Sequence, residues 1–343
     1  MVVKQKQRLV GRRALVTVRD VARRAEVSES TVSRIMRNQD LVTEATREKV
    51  MESVRALGYV PNRIAGSLAS LDSRLVGVVI PSLSNIVFPE VLQGINAGLA
   101  GTDRQSVISI TDYDLDTEEV VVRNLLAWQP GAMLIAGSTH TEATRRMLDQ
   151  SGIRIVEFME IDNPPIDVAI GMSHAGAGRA TVQHLVARGY RRFGYVGYGG
   201  SADYRARMRY DGLRAALAEA GLAFEAESVS LDQTSVEQGK VQTADIVARA
   251  PGVEVLVFSN DDMAIGGLFH CMGAGISVPG QLALFGFNGL DIGRALPQPL
   301  STIRSNRFEI GRKAVEEVLS SSTRAEGGRV IDTGFQIVEG ATA

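Results

Sequence analysis

From residue 73 onward the sequence repeats one plan twice, a short apolar run followed by an amphipathic stretch. This repetition constrains the fold more than any other feature. The first series of apolar runs covers residues 75–81, 106–111, 132–136 and 153–158, and the second covers 193–198, 228–231, 253–258 and 282–287. Stretches with helical apolar spacing lie between them, such as 89–100, 141–150, 208–220 and 236–250. Short buried strands alternating with helices predict parallel sheets covered on both faces. Two series predict two similar doubly wound α/β lobes rather than one large sheet. After residue 298, the run 300–304 and a helix at 307–319 are expected to return to the first lobe, and a last strand near 330–337 to the second. The first lobe then comprises about 73–172 and 299–325, and the second about 173–298 and 326–343.

Ligands of such sheets bind beyond the carboxyl ends of the strands, which here means the cleft between the lobes. The polar and aromatic residues just past each strand are therefore the candidates. In the first lobe they are Ser82, Ser84, Asn85, Phe88, Asp112, Tyr113, Ser138 and His140. In the second they are Arg205, Arg207, Arg209, Asp232, Asn260, Asp261 and Asn288. Taken singly, each is more often a loop group satisfied by its neighbours than a ligand contact, with Arg209 the exception.

The net charge of −2 conceals an asymmetry: residues 1–63 hold 14 Lys and Arg against 7 Asp and Glu, and the remainder holds 23 against 32. A basic end on an acidic body fits a chain that touches nucleic acid only at that end, although a solvated tail would have the same charge. The segment after a basic arm (residues 1–16) favours the first reading. Residues 18–25 have helical apolar spacing, with Thr17 placed to cap them and Asp20 as its partner three residues on. After a break at 26–28, Ser28 can cap a second helix in which Val32, Ile35 and Met36 face the first. Glu29, Ser30, Ser33 and Arg34 stay on its polar side. A third helix, from Thr43 to about residue 57, closes the core with Val50, Val54 and Leu57. Two short helices joined by a turn, with a free polar face on the second, predict a helix-turn-helix over residues 17–61. The alternative is a small helical bundle without DNA affinity.

These residues also carry a specific resemblance. Thr17-Val18-Arg19-Asp20-Val21-Ala22, Val27-Ser28, Thr31-Val32-Ser33-Arg34 and Leu57-Gly58-Tyr59-Val60-Pro61-Asn62 resemble the signature of the LacI/GalR family of bacterial regulators. The resemblance implies a helix-turn-helix headpiece joined to a periplasmic-binding-protein-like sensing domain, and so extends over nearly the whole chain. It implies DNA contacts from Thr17, Ser28, Glu29, Ser30, Thr31, Ser33, Arg34 and Asn38, with residues 29, 30 and Arg34 reaching base edges. Arginine suits that role because its fork pairs with guanine O6 and N7. It further implies a hinge helix and linker at 62–72, with Asn62, Ala65 and Leu68 on the DNA and Leu68 wedged into a minor-groove step. A plain linker leucine is the other reading of Leu68. One departure is Glu26, which stands where the family usually has glycine in the turn. The implied partners are double-stranded, pseudo-palindromic operator DNA and a second copy of the chain. The end at Ala343 without leucine heptads fits a homodimer rather than a tetramer.

Family position implies that Arg209 and Asn260 touch the effector and that Asn288 stands where members binding neutral sugars commonly carry aspartate. A missing acid opposite Arg209, with Arg205, Arg207 and His140 nearby, points to an anion, because arginine grips a carboxylate through two parallel hydrogen bonds. Residues 81–85, 138–141 and 153–160 resemble the gluconate-operon repressors of the family, so a sugar acid such as gluconate is the implied effector. A neutral or phosphorylated sugar, or a protein corepressor, remains open. Enzyme readings find little support: Gly197-Tyr198-Gly199-Gly200 lacks dinucleotide-fingerprint spacing, and there is no GxSxG, P-loop lysine or CxxC pair. The lone Cys271 and the scattered His140, His174, His184 and His270 offer no metal spacing, so neither metal nor cofactor is expected. No apolar run approaches the ~18–20 residues of a membrane span. The basic amino terminus lacks a secretory apolar core, so neither a secreted sugar-binding protein nor a membrane partner fits, and the cytoplasm is the expected location.

Overall fold

The computed structural model describes residues 16–36, 42–60, 73–198, 203–231, 234–320 and 328–343. The chain divides into two compact units, Met1–Asp72 and Ser73–Ala343.

The first unit contains helices α1 (Val18–Ala25), α2 (Glu29–Met36) and α3 (Glu44–Leu57). The start of α1 is fixed locally, since the Asp20 carboxylate accepts from the Thr17 amide at 2.9 Å and from its hydroxyl at 2.7 Å. Ser28 Oγ accepts from the Thr31 amide at 3.1 Å and so caps α2. The core is Val21, Ala22, Ala25, Val32, Ile35 and Val50, with Val54 and Leu57 half-buried beside it. The turn after α1 depends on Glu26 at φ 55°, a left-handed conformation that costs a non-glycine residue roughly 1–2 kcal/mol. Its side chain reaches Lys49 on α3 at 2.7 Å, an exposed contact that offsets only part of the strain.

The second unit holds two six-stranded sheets. The first sheet has the order β11-β5-β4-β3-β1-β2, formed by β1 (Leu75–Ile80), β2 (Gln105–Ile110), β3 (Ala132–Ala136), β4 (Arg154–Glu160), β5 (Val168–Met172) and β11 (Arg329–Asp332). The second has the order β12-β10-β9-β8-β6-β7, formed by β6 (Phe193–Tyr198), β7 (Phe224–Ser230), β8 (Val255–Phe258), β9 (Ala283–Phe287), β10 (Ser301–Ser305) and β12 (Phe335–Val338). All neighbours pair in parallel except β12, which runs antiparallel to β10. Helices α4 (Val87–Leu99), α5 (Leu115–Ala127), α6 (Glu142–Gln150) and α12 (Arg307–Ser320) cover the first sheet. The second carries α7 (His174–Ala187), α8 (Tyr204–Glu219), α9 (Val236–Arg249), α10 (Asp261–Ala274) and the short α11 (Asp291–Ala295).

The two-lobed doubly wound architecture agrees with the sequence pattern, but three strands do not. Residues 301–305, expected in the first lobe, form β10 of the second sheet, in register with β9 from Ser301 opposite Phe285. The reason is local satisfaction. Ser301 and Thr302 are buried, and their hydroxyls bond to the carbonyl of Ala343 and to Asp261, both in the second lobe. The run expected as one strand near 330–337 is broken at Gly334, which turns at φ 66°. Its first half joins β5 in the first sheet and its second half joins β10. Val168–Met172, all buried, is a further strand that the periodicity did not single out. The chain thus crosses between lobes at 172–174, 305–307 and 332–335, and these crossovers frame the cleft.

Candidate functional site

In the first unit, α2 presents Glu29, Ser30 and Arg34 to solvent, with Thr31 and Ser33 half-buried. Ser28 Oγ lies 2.8 Å from both Ser30 Oγ and Thr31 Oγ1, and Glu29 meets Arg19 of α1 at 3.3 Å. Arg34 has no hydrogen bond or ion pair among the described residues, so its guanidinium remains free on the polar face. Thr17 is occupied by its bonds to Asp20. Asn38, Asn62, Ala65 and Leu68 lie outside the described residues, as do Asp232, Gly199 and Gly200.

In the second unit the strand ends bring Arg205 and Arg209 together. They lie four residues apart on α8 and so share one face, and they are only 5% and 9% exposed. Asp203 caps this helix by accepting from the Ala206 amide at 3.1 Å. The helix lies so close to α7 that a Cβ on Gly178 would come within 2.2 Å of the Arg209 carbonyl oxygen. Arg209 Nη1 donates to His174 Nδ1 at 3.1 Å, and Nη2 donates to the Ser259 carbonyl at 3.1 Å. The guanidinium carbon sits 3.9 Å from the centre of the Phe287 ring. No carboxylate reaches ion-pair distance of Arg209 among the described residues, and burial pulls its pKa below the usual arginine range. His174 is buried beside it, and burial followed by the Arg209 charge pushes the imidazole well below its ordinary pKa. It is therefore neutral, with Nδ1 as the acceptor. His174 also belongs to the first crossover. Its amide and the Ser173 hydroxyl donate to the two oxygens of Asp162 at 2.7 and 2.6 Å, which ties the cleft arginine to the junction of the lobes.

Arg205 reaches across to the first lobe, 5.6 Å from the centre of the fully buried Phe88 ring and 5.3 Å from that of Tyr204. Glu160, at the end of β4, is fully buried beside these groups. Its Oε1 accepts from the Ser138 amide at 3.0 Å and from the Ser138 hydroxyl at 2.5 Å. Burial pushes the Glu160 carboxyl up, while Arg205 and the Ser138 donors hold it back. Tyr204 fits only because residue 137 is glycine, since a Cβ there would lie 1.7 Å from the phenol oxygen. Sequence reasoning passed over Glu160, Tyr204 and His174. Glu160 falls at a strand end and Tyr204 one residue beyond a helix cap, where the rule that selected the others also applies, whereas His174 follows a strand that the periodicity did not single out.

The remaining candidates take different places. Asn85 Nδ2 donates to the Tyr113 hydroxyl at 2.7 Å, and Ser84 lies in the exposed turn held by Ser82. Asn260 spends its side-chain oxygen capping α10 at the Met263 amide, 3.0 Å away. Asn288 adopts φ 125°, and Arg307 donates to its carbonyl while also donating to Glu90 on α4 at 2.8 Å. Arg207 does not join the cleft. Two residues from either neighbour, it falls on the opposite face of α8, largely exposed and paired with Asp211 at 3.1 Å. His140 is held away from it as well. Its Nδ1 is 2.7 Å from Glu118 and its Nε2 is 3.4 Å from Glu157, in a buried carboxylate–imidazolium–carboxylate clamp. Burial alone would lower its pKa, but the contacts to Glu118 and Glu157 outweigh it and raise it to about 9. Among the described residues no group of His, Cys, Asp and Glu could hold a metal, and no helix is long and apolar enough to cross a membrane.

A helix-turn-helix with a free reading face and a two-lobed domain with a charged, buried cleft together define a ligand-responsive DNA-binding regulator. Comparison with known proteins agrees. Residues 17–62 match the model of the bacterial regulatory proteins of the lacI family, and residues 182–343 match a periplasmic binding protein-like domain. The chain is 38% identical over 324 residues to the HTH-type transcriptional regulator GntR of Pseudomonas aeruginosa, covering 94% of each protein. A LacI-family transcriptional regulator from Silicibacter pomeroyi superposes with a TM-score of 0.88 at 42% identity, over 95% of this chain and 99% of that one. The lac repressor dimer bound to operator and the anti-inducer ONPF superposes at 0.84 with 25% identity, over 96% and 99%. The chain belongs to the LacI family of bacterial transcriptional regulators.

Proposed function

We propose that the chain is a homodimeric repressor of sugar-acid catabolism genes whose operator affinity is set by an acid such as gluconate in the interlobe cleft. The observation that carries this reading is Arg209. A buried guanidinium costs several kcal/mol in desolvation unless an anion compensates it, and no carboxylate among the described residues is within ion-pair distance of it, the Asp203 charge favouring it only from further away. A guanidinium has five N–H donors in a planar fork, of which His174 and the Ser259 carbonyl take two. The others are free to hold a carboxylate bidentately. Asn288, across the cleft loop, adds no negative charge to compete with that carboxylate. A pseudo-palindromic operator needs two headpieces related by a two-fold axis, which is why the reading includes a dimer, the assembly named for the lac repressor structure. Arg34, exposed and unpaired on α2, is the residue assigned to a guanine edge, with Glu29 and Ser30 as its neighbours on the same helix. Isothermal titration of the full chain with gluconate and with glucose, alongside gel shift on a palindromic operator with each ligand, tests the reading. Gluconate is expected to bind and to change the shift. Binding of glucose with no response to any sugar acid would overturn the anion assignment.

A further inference from the structure

Two guanidinium groups are buried in the cleft, and among the described residues neither has a carboxylate within ion-pair distance. Arg209 is one. Arg205, about 6 Å earlier along the axis of α8, is the other, and it is only 5% exposed. The two side chains diverge. Arg209 lies over Phe287 at the end of β9 in the second lobe, whereas Arg205 lies against Phe88 on α4 of the first. Burial opposes the Arg205 charge, but Tyr204, Asp203, Glu160 and Tyr113 together outweigh it, so the guanidinium stays charged. At neutral pH the two phenols carry no charge themselves. The two carboxyl groups are engaged elsewhere. Asp203 caps α8 at the Ala206 amide, and Glu160 accepts from Ser138 and from the Tyr204 hydroxyl, with burial pushing its carboxyl toward the neutral acid. The Tyr113 hydroxyl accepts from Asn85 Nδ2 at 2.7 Å and from Arg205, which leaves its own proton to donate. Arg205 Nη1 has no partner among the described residues, although buried polar atoms are almost always paired.

We propose that Arg205, with the Tyr113 hydroxyl beside it, is a second anion seat, and that the cleft selects a polyhydroxy acid carrying two anionic groups, one for Arg209 and one for Arg205. The inference rests on the sugar-acid reading above and narrows its ligand class. An acid with one carboxylate satisfies Arg209 and leaves the second buried guanidinium with only the distant Asp203 and Glu160. A second anionic group would pair with it directly, where low polarity makes the attraction strong. The guanidinium fork matches carboxylate and phosphate alike, so the shared chemistry is a second anion, whichever group supplies it. No other cleft cation competes for that group: Arg307 is paired with Glu90, and the buried His174 is neutral.

Calorimetric titration of the full chain with gluconate, with glucarate (the same six-carbon chain carrying a carboxylate at both ends) and with 6-phosphogluconate (a phosphate at the far end) tests this. Close charge pairs couple strongly, so at least one of the two doubly charged acids is expected to bind ~10-fold tighter than gluconate or better. Which of them does so identifies the second group as carboxylate or phosphate. Arg205→Met keeps much of the length against Phe88 and removes the charge, and it should bring that ratio down to about one. Arg205→Lys keeps the charge without the fork and should retain part of the ratio. Thermal unfolding checks that each variant is folded, and the wild-type ratio decides the matter if one is not. Gluconate binding as tightly as both doubly charged acids would overturn the second seat alone, as would a folded Arg205→Met variant with the wild-type ratio. Binding of a neutral sugar and of no acid would overturn the second seat together with the reading beneath it.

Discussion

Replacing Arg209 by methionine isolates the effector's charge from the rest of the cleft. Methionine spans much of the same length and can lie against Phe287, where the guanidinium now sits 3.9 Å from the ring centre. What disappears is the buried fork and, with it, the compensation for a carboxylate taken out of water. Truncating one partner of a buried, hydrogen-bonded charge pair costs about 2–5 kcal/mol, or roughly 30-fold to several thousandfold in affinity. Ligand-linked stabilisation makes this visible without any DNA. At gluconate concentrations about 100 times its Kd, the wild-type domain gains ~2.7 kcal/mol, which for a domain of this size moves Tm by roughly 5–10 °C. With affinity down at least ~30-fold, the same concentration stabilises the variant by less than ~1 kcal/mol. Arg209→Lys should fall between the two, since the charge remains but the planar fork does not. Differential scanning fluorimetry across a gluconate series reads all three proteins. A methionine variant that shifts with gluconate as the wild type does would refute the assignment of the carboxylate to Arg209.

Two further outcomes follow from other parts of the chain. Arg34→Ala should relax base preference at one symmetric pair of operator positions, by ~1–3 kcal/mol of lost discrimination, measured by gel shift on single-base operator variants; a uniform loss across all sequences would make Arg34 a phosphate contact instead. His140 has a folded pKa of about 9 against an ordinary 6.5, so its clamp contributes fully below about pH 6.5 and is lost as pH rises through about 9. Chemical denaturation of the wild type should show that alkaline loss, His140→Gln should flatten it, and parallel profiles for the two would rule the clamp out as its source.

What could be read in the sequence depended on how local the determining contacts are. The three helices of the headpiece were legible because their signals act within a few residues: Thr17 with Asp20, and Ser28 with the Thr31 amide. Arg209 was legible because a strand end followed by a helix start places it on the cleft side. The same rule, applied without the 100° turn per residue, wrongly admitted Arg207 with it. His140 illustrates the opposite case. Its partners Glu118 and Glu157 come from α5 and β4, and only the lateral packing of α5 and the β3–β4 register bring them to its ring. A histidine after a strand looks like a ligand group until those two carboxylates are in place. The strand Ser301–Ser305 failed for a related reason. Three of its buried residues are polar, and two of them, Ser301 and Thr302, are acceptable in a core because Asp261 and residues 342–343 arrive from elsewhere to satisfy them. Overlooking Val168–Met172 then hid His174, since without that strand there is no strand end to place it at. The omission matters chemically: His174 supplies the neutral acceptor that holds Arg209, so a cleft assembled from sequence alone contained the buried arginine without the group that aims it.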